Sequence, residues 1–158
     1  MSIKEVLTQY LDGPRQLKEL VADMSDDQLR QRPVPGKWST LEVICHLVDF
    51  DPILADRMKR IIAEDKPTLL GADEQKFAAA LCYHDRDVHE ELTLLEKTRS
   101  QMGRILQKLP EATFQKEGMH NERGLLTLGR MLEIAAKHIP HHLTFIKEKR
   151  KAMGLPER

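Results

Sequence analysis

Cysteine is scarce in this chain of 158 residues, which contains only Cys45 and Cys82. Two isolated thiols provide neither a disulfide framework nor the paired spacing of a cysteine zinc site, and they suit a reducing compartment. Aromatic residues are also few, at 4%, against 41% hydrophobic and 32% charged residues. This mixture, rich in leucine, glutamate, lysine and arginine, favours helices over a β-sandwich or a barrel.

Net charge and long apolar runs are missing as well. Lysine plus arginine and aspartate plus glutamate number 25 each, so neither a nucleic-acid surface nor a polybasic membrane patch is expected. No stretch approaches the apolar length of a membrane span, and residues 1–5 lack the beginning of a secretion signal. The sequence therefore predicts a cytoplasmic protein with one domain over residues 1–158 and no nucleic-acid or membrane partner.

Apolar residues recur at helical spacing in four long segments separated by connections that contain proline or glycine. These segments cover residues 3–24, 39–64, 85–109 and 127–151. Four helices of this length, with no convincing alternating strands, predict an all-α fold with a four-helix bundle.

Local signals refine these segments. Ser39 with Glu42, and Ser25 with Gln28, form capping boxes that predict helix starts. Gly13-Pro14 is expected to bend or interrupt the first helix. A short helix is expected over residues 73–81, whereas residues 111–124 are expected to form a polar, irregular loop.

Three histidines lie close together in the last segment, in Lys137-His138-Ile139-Pro140-His141-His142. His138 and His142 are four residues apart, so both rings leave one face of a helix and point into the bundle, whereas His141 lies nearer the edge. His46 occupies the border of the apolar stripe in the second segment. Imidazole is the commonest ligand for zinc-like metals, and three rings plus a water form an open, reactive site.

The alternative is that each of these rings is a hydrogen-bonded core histidine or is exposed. Two unpaired rings in an apolar interior are costly, however, and they cannot both become charged cheaply. A shared metal removes both difficulties. Asp49, three residues after His46, is either an acceptor for the other ring N–H of that ligand or a surface aspartate.

The other candidates are weaker. His84, His89 and His120 are interpreted as solvated, and Cys45 as a small buried hydrophobic residue. The zincin pattern His-Glu-x-x-His is absent, since position 139 is isoleucine. The Glu-x-x-His pairs of di-iron bundles and the glycine-rich phosphate loop are absent as well. No catalytic residue is identified from the sequence.

Taken together, the motifs resemble the DinB/YfiT-like superfamily of small bacterial metalloproteins. The similarity spans nearly the whole chain, and the segments that carry it are Gly36-Lys37-Trp38-Ser39, Glu42-Val43-Ile44-Cys45-His46-Leu47-Val48-Asp49-Phe50-Asp51, Arg99, Leu109-Pro110, Gly124-Leu125-Leu126-Thr127-Leu128 and His138-x-x-His141-His142.

The resemblance implies a four-helix bundle, often dimeric, with a divalent metal, zinc or nickel, held by three histidines. By motif position these ligands are His46, His138 and His142. It further implies a metal-dependent enzyme such as a low-molecular-weight-thiol S-transferase, acting on a small-molecule substrate as a homodimer. Two alternatives stay open: a metal-dependent hydrolase, and a non-catalytic bundle with a structural metal whose shell His141 or Cys45 completes.

Overall fold

The computed structural model describes residues 1–158 and contains six α-helices and three short strands. The helices are α1 (Ile3–Val21), α2 (Asp26–Arg30), α3 (Thr40–Ala63), α4 (Glu74–Ala80), α5 (Val88–Leu106) and α6 (Leu128–Ala152). The strands are β1 (Thr68–Leu69), β2 (Glu117–His120) and β3 (Gly124–Thr127). Short 3₁₀ turns cover Tyr83–Asp85 and Glu111–Gln115.

The four long helices form the bundle that the sequence predicts. Helices α1 and α3 each pack against both α5 and α6, so α1 and α3 lie on one diagonal and α5 and α6 on the other. The predicted all-α four-helix bundle is confirmed. No helix combines the length and the apolar character that crossing a membrane requires.

One capping box defines the start of α3, the helix that carries His46. The hydroxyl of Ser39 accepts the backbone N–H of Glu42 at 3.1 Å, and the Glu42 carboxylate accepts the backbone N–H of Ser39 at 2.7 Å. These bonds satisfy two of the free donors at the start of α3. Because α3 begins at a defined residue, His46 lies two turns into the helix with its ring inside the bundle.

The sequence predicts that Gly13-Pro14 bends or interrupts the first helix, and the structure excludes the interruption, because α1 continues through Pro14. Proline removes the N–H that would bond to the carbonyl four residues earlier, which is that of Tyr10. That carbonyl instead accepts a hydrogen bond from Nη1 of Arg99 at 2.7 Å. The cost of the proline is therefore offset by a side chain from another helix.

Two apolar clusters fill the bundle, one toward each end. One contains the second half of α1, the first half of α3 and the second half of α6, and the other contains the complementary halves. Asp51 and Arg99 fall between the two clusters along α3 and α5, and both are 1% exposed. A buried ion pair thus separates two apolar layers.

Residues 111–124 are not an irregular loop, which corrects the prediction for this region. Strand β2 pairs parallel with β1, Leu69 opposite His120, and antiparallel with β3, His120 opposite Gly124. Gly124 adopts a φ of 73° at the end of the hairpin turn, a conformation that glycine allows. The two-residue β1 lies about fifty positions upstream of its partner, so no local periodicity signals this sheet.

Candidate metal centre

His46, His138 and His142 converge on one point inside the bundle, between α3 and α6. One nitrogen from each ring lies within 4.8 Å of the others, so the three form a group that could hold a metal ion. His46 and His142 are buried and His138 is half-buried. We call these three residues the histidine cluster. The predicted inward direction of His138 and His142 agrees with their positions in α6.

The spacing inside the cluster suits ligands of one ion. The Nε2 atoms of His46 and His138 are 3.1 Å apart. Two nitrogens bound to one tetrahedral zinc at about 2.0–2.1 Å each are separated by about 3.3 Å. In addition, each of the three rings has a buried Nδ1 without a protein partner. A group of donors that the chain leaves partly unsatisfied fits a divalent cation.

Burial keeps all three rings neutral. Desolvation lowers the pKa of His46 to about 4, opposed by the charge of Asp49. Desolvation also lowers the pKa of His142 to about 3 and that of His138 to about 2, reinforced by the neighbouring rings. Neutral imidazole has the lone pair that a metal needs, because a proton and a metal compete for it. At neutral pH no proton has to be displaced.

Aromatic side chains surround the cluster and contribute to this burial. The ring of Phe50 lies 4.5 Å from that of His46, and the ring of Trp38 lies 5.4 Å from it, measured between centroids. Trp38 precedes the capping box of α3, so the start of the helix brings this ring over the site. Apolar walls of this kind lower the local dielectric and strengthen the field of a bound cation.

Asp49 does not hold the ring of His46, which corrects one alternative from the sequence. Both of its oxygens accept hydrogen bonds from Arg86, at 2.8 and 3.1 Å, and Nδ1 of His46 has no partner. The bidentate guanidinium occupies the carboxylate, since a fixed fork matches two oxygens at once. Asp49 therefore acts on His46 only through its charge.

Neither His141 nor Cys45 joins the cluster. His141 is exposed, and its ring packs edge-on against Phe145 at 5.0 Å. Cys45 is fully buried, as expected, and its thiol donates to the carbonyl of Tyr83 at 3.4 Å. Burial raises the pKa of Cys45 to about 12, so it stays protonated and cannot serve as a thiolate ligand.

A cavity of about 560 Å³ opens beside the cluster, within the usual size range of small-molecule sites. The carboxylate of Glu74, at the start of α4, lies on this side, 3.9 Å from Nε2 of His46, and is 53% exposed. Sequence reasoning missed Glu74 because a seven-residue helix with no buried residue has no pattern that marks one carboxylate as special.

His120 also lines this cavity, and its position corrects the interpretation of a solvated histidine. It ends β2 and is only 3% exposed. Arg57, from α3, and Arg123, from the turn after β2, line the same cavity. The sequence does not indicate that these three residues lie together, because the strand pairing that brings them together is not local.

A profile of the DinB superfamily matches residues 9–146, most of the chain. The chain belongs to the DinB superfamily. This confirms the resemblance found in the sequence motifs.

Similarity to relatives within the superfamily also extends over most of the chain. A protein of Oceanobacillus iheyensis, provisionally named a metal-dependent hydrolase, is 30% identical over 144 residues, covering 91% of this chain and 83% of the relative. The solved structure of YfiT from Bacillus subtilis, described as a candidate metal-dependent hydrolase with an unusual four-helix bundle topology, superimposes with a TM-score of 0.91 at 24% identity. That comparison covers 99% of this chain and 91% of YfiT.

A more distant structural match is a mycothiol-dependent maleylpyruvate isomerase. It matches with a TM-score of 0.71 at 13% identity, covering 90% of this chain and 60% of the isomerase. At these identities the two solved structures show a shared fold, and chemistry has to be argued from the site itself.

Proposed function

We propose that this DinB-superfamily protein is a metal-dependent hydrolase whose divalent ion, zinc or nickel, is held by His46, His138 and His142. The observation that carries the proposal is the convergence of three neutral, buried imidazoles beside an open cavity. The hydrolase names of relatives that match about nine-tenths of the chain support the same choice. Zinc and nickel both accept imidazole ligands.

A divalent ion held by His46, His138 and His142 would supply positive charge that can activate a nucleophile near neutral pH. The chain contributes three ligands that need no deprotonation and aromatic walls that limit water. It also contributes Glu74, the carboxylate nearest to the cluster, 3.9 Å from His46. Glu74 faces the cavity, where it can accept a proton from an entering nucleophile and return it to the leaving group.

A second candidate is transfer of a low-molecular-weight thiol, which the superfamily resemblance favours. The solved fold of a mycothiol-dependent isomerase supports it, as does a cavity wide enough to admit more than water. The same three histidines and the same carboxylate would then act on a thiol as the nucleophile. The two candidates differ in the substrate that enters and share the ligands.

The metal assignment is tested first, by elemental analysis of protein purified without an affinity tag. We expect about one equivalent of a divalent metal in the unmodified protein and its loss in His46→Ala, His138→Ala and His142→Ala. His141→Ala is the matched control, because it removes a neighbouring ring outside the cluster and should retain the metal. Equal metal content in all four variants would show that the ligands are wrong.

The reaction is tested on the metal-loaded protein with a panel of esters and amides, and separately with low-molecular-weight thiols and electrophiles. Glu74→Gln should lower the rate of the true reaction by about 10²- to 10⁴-fold while metal content stays the same. Turnover only with thiols would replace hydrolysis by transfer. No turnover in either assay, together with a fourth protein ligand on the metal, would favour a structural role.

A further inference from the structure

Arg57 is a buried cation with no carboxylate partner. Its residue is 9% exposed, and its Nε and Nη2 both donate to the backbone carbonyl of Leu70, while Nη1 bonds to no group in the chain. Arg99 and Arg150, which are buried more completely, each have an aspartate within 2.8 Å. Burying a guanidinium without a counter-charge costs free energy. An anion bound beside Arg57 would reduce this cost.

His120 and Arg123 lie in the same part of the cavity. Nδ1 of His120 accepts the backbone N–H of Glu122 at 3.2 Å, which leaves the ring proton of the neutral form on Nε2 as a donor. Nε2 has no protein acceptor. Burial lowers the pKa of His120, and the charges of Arg57 and Arg123, which line the same cavity, lower it further.

The small sheet builds this wall of the cavity. The backbone N–H of Asn121 donates to the carbonyl of Leu69 at 3.1 Å, and the side-chain oxygen of Asn121 accepts the N–H of Gly71 at 2.8 Å. These bonds clamp the turn after β2 to the segment after β1. The segment after β1 also contains Leu70, whose carbonyl accepts the hydrogen bonds of Arg57. The Arg57 side chain and the turn that carries Arg123 are therefore bonded to the same backbone segment.

Carboxylates near this end are present but unpaired with the arginines. Glu122 lines the cavity over Gly71, and Asp56 pairs with Arg60 at 2.8 Å. Both raise the pKa of Arg57, yet burial and Arg123 outweigh them and the net direction is down. Neither carboxylate forms an ion pair with Arg57, so its counter-charge has to come from outside the chain.

We infer that this cavity takes an elongated anionic substrate whose carboxylate or phosphate group binds Arg57, Arg123 and His120. Guanidinium groups recognise such planar or tetrahedral oxyanions through paired hydrogen bonds. Leu54, Leu126 and Met131 line the space between this end and the histidine cluster, so the middle of the substrate is apolar. The inference rests on the proposed function for the reacting end and adds the substrate class.

The length of the substrate follows from the helix. Arg57 lies eleven residues after His46 on α3, a rise of about 16 Å between the two Cα atoms. The anionic group and the reacting group are therefore separated by several bonds, and acetate alone would not reach from one end to the other.

The test uses the metal-free protein, so that anion binding is measured independently of the metal. Succinate and inorganic phosphate are titrated separately, at constant ionic strength, while the side-chain N–H signals of arginine and histidine are followed by NMR. We expect one of the two anions to bind, and Arg57→Gln to weaken it about 10-fold or more. Arg57→Lys should lie between, because it retains the charge and loses the fork.

Variants of two exposed residues, Arg123 and Glu122, test the anion site even if the Arg57 variants fold poorly. Arg123→Gln removes a side chain without hydrogen bonds in the chain and should weaken binding up to about 5-fold. Glu122→Gln should tighten it, because it removes the nearest negative charge. Arg60→Gln, three residues after Arg57 and paired outside this cavity, is the matched control and should leave affinity unchanged.

The outcomes separate this inference from the metal proposal. Equal affinity in all variants overturns the anion site, and binding only after zinc is added, with no dependence on Arg57, shows that the anion coordinates the metal instead. If His138→Ala loses the metal and still binds the anion, the result supports both the metal ligands and a separate anion site. Anion binding that follows Arg57 and Glu122 with opposite signs supports the inference.

Discussion

Two buried polar groups lie five residues apart on α3, and they differ in what the chain offers them. At Asp51, Arg99 provides the counter-charge: its Nε and Nη2 donate to Oδ1 at 2.9 and 2.8 Å, and two further bonds from Arg99 reach the carbonyls of Tyr10 and Ala135, while Oδ2 of Asp51 has no hydrogen-bond partner. At His46, the nearest polar group is another histidine, and Nδ1 has no partner.

The difference separates a structural ion pair from a binding site. The Arg99–Asp51 pair joins α1, α3, α5 and α6 between the two apolar clusters, and its two opposite charges are balanced inside the chain. The histidine cluster consists of neutral rings whose buried Nδ1 atoms have no partner in the chain, and burial prevents these rings from taking up protons at neutral pH. A metal ion is the partner that such a group can still accept.

The largest expected effect breaks the balanced side of this comparison. Arg99→Ala leaves Asp51 buried without its counter-charge and frees the Tyr10 carbonyl beneath Pro14, so the free energy of unfolding should fall by about 3–5 kcal/mol. Urea unfolding measures the change. Arg104→Ala, on the same helix but exposed and bonded only to Ser100, should change stability by less than about 0.5 kcal/mol.

If Arg99→Ala and Arg104→Ala destabilise the protein equally, the ion pair does not join the two apolar layers. Metal content offers a second check on the same variant. Since Arg99 contacts no histidine through a hydrogen bond, a folded Arg99→Ala protein should still bind one equivalent of metal.

The next largest effect is expected when zinc binds to the histidine cluster. Zinc at a free concentration of about 1,000 times its dissociation constant should stabilise the unmodified protein by about 4 kcal/mol, because only the folded chain brings the three rings together. His138→Ala should abolish this gain, and His141→Ala should retain it. Thermal unfolding with and without zinc measures both. Equal stabilisation of the two variants would place the ion elsewhere.

Part of this contrast could be predicted from the sequence. The inward direction of His138 and His142 follows from a four-residue spacing inside a strong apolar repeat, and the capping box fixes the phase of His46 in the same way. The four long helices were predictable for the same reason, since each shows its own periodicity over five or more turns.

The remaining features depend on partners that are distant in the sequence. Pro14 signals a break, and only Arg99 from another helix makes the continuous α1 possible. Asp49 has the right spacing to hold His46, yet Arg86 from a later turn takes both of its oxygens. His120 lies in a polar stretch and is buried only because β2 pairs with a two-residue strand far upstream.

The smallest expected effect is the pH dependence of the free energy of unfolding that the buried ring of His46 causes. In the metal-free protein the pKa of His46 is lowered to about 4 from 6.5, so below pH 6.5 the unfolded chain takes up a proton that the folded chain refuses. The free energy of unfolding therefore falls with decreasing pH, by up to about 1.4 kcal/mol per pH unit for one ring, until the pH passes about 4.

His46→Asn should remove this contribution, because asparagine fills part of the same space without titrating. The measurement is the free energy of unfolding in urea between pH 7 and 4.5, with metal removed, for the unmodified protein and the variant. His89→Asn, exposed on α5, is the control and should retain the full slope. Identical slopes for all three proteins would mean that water reaches the His46 ring in the folded state, in which case burial is not what keeps this ligand neutral and available to a cation.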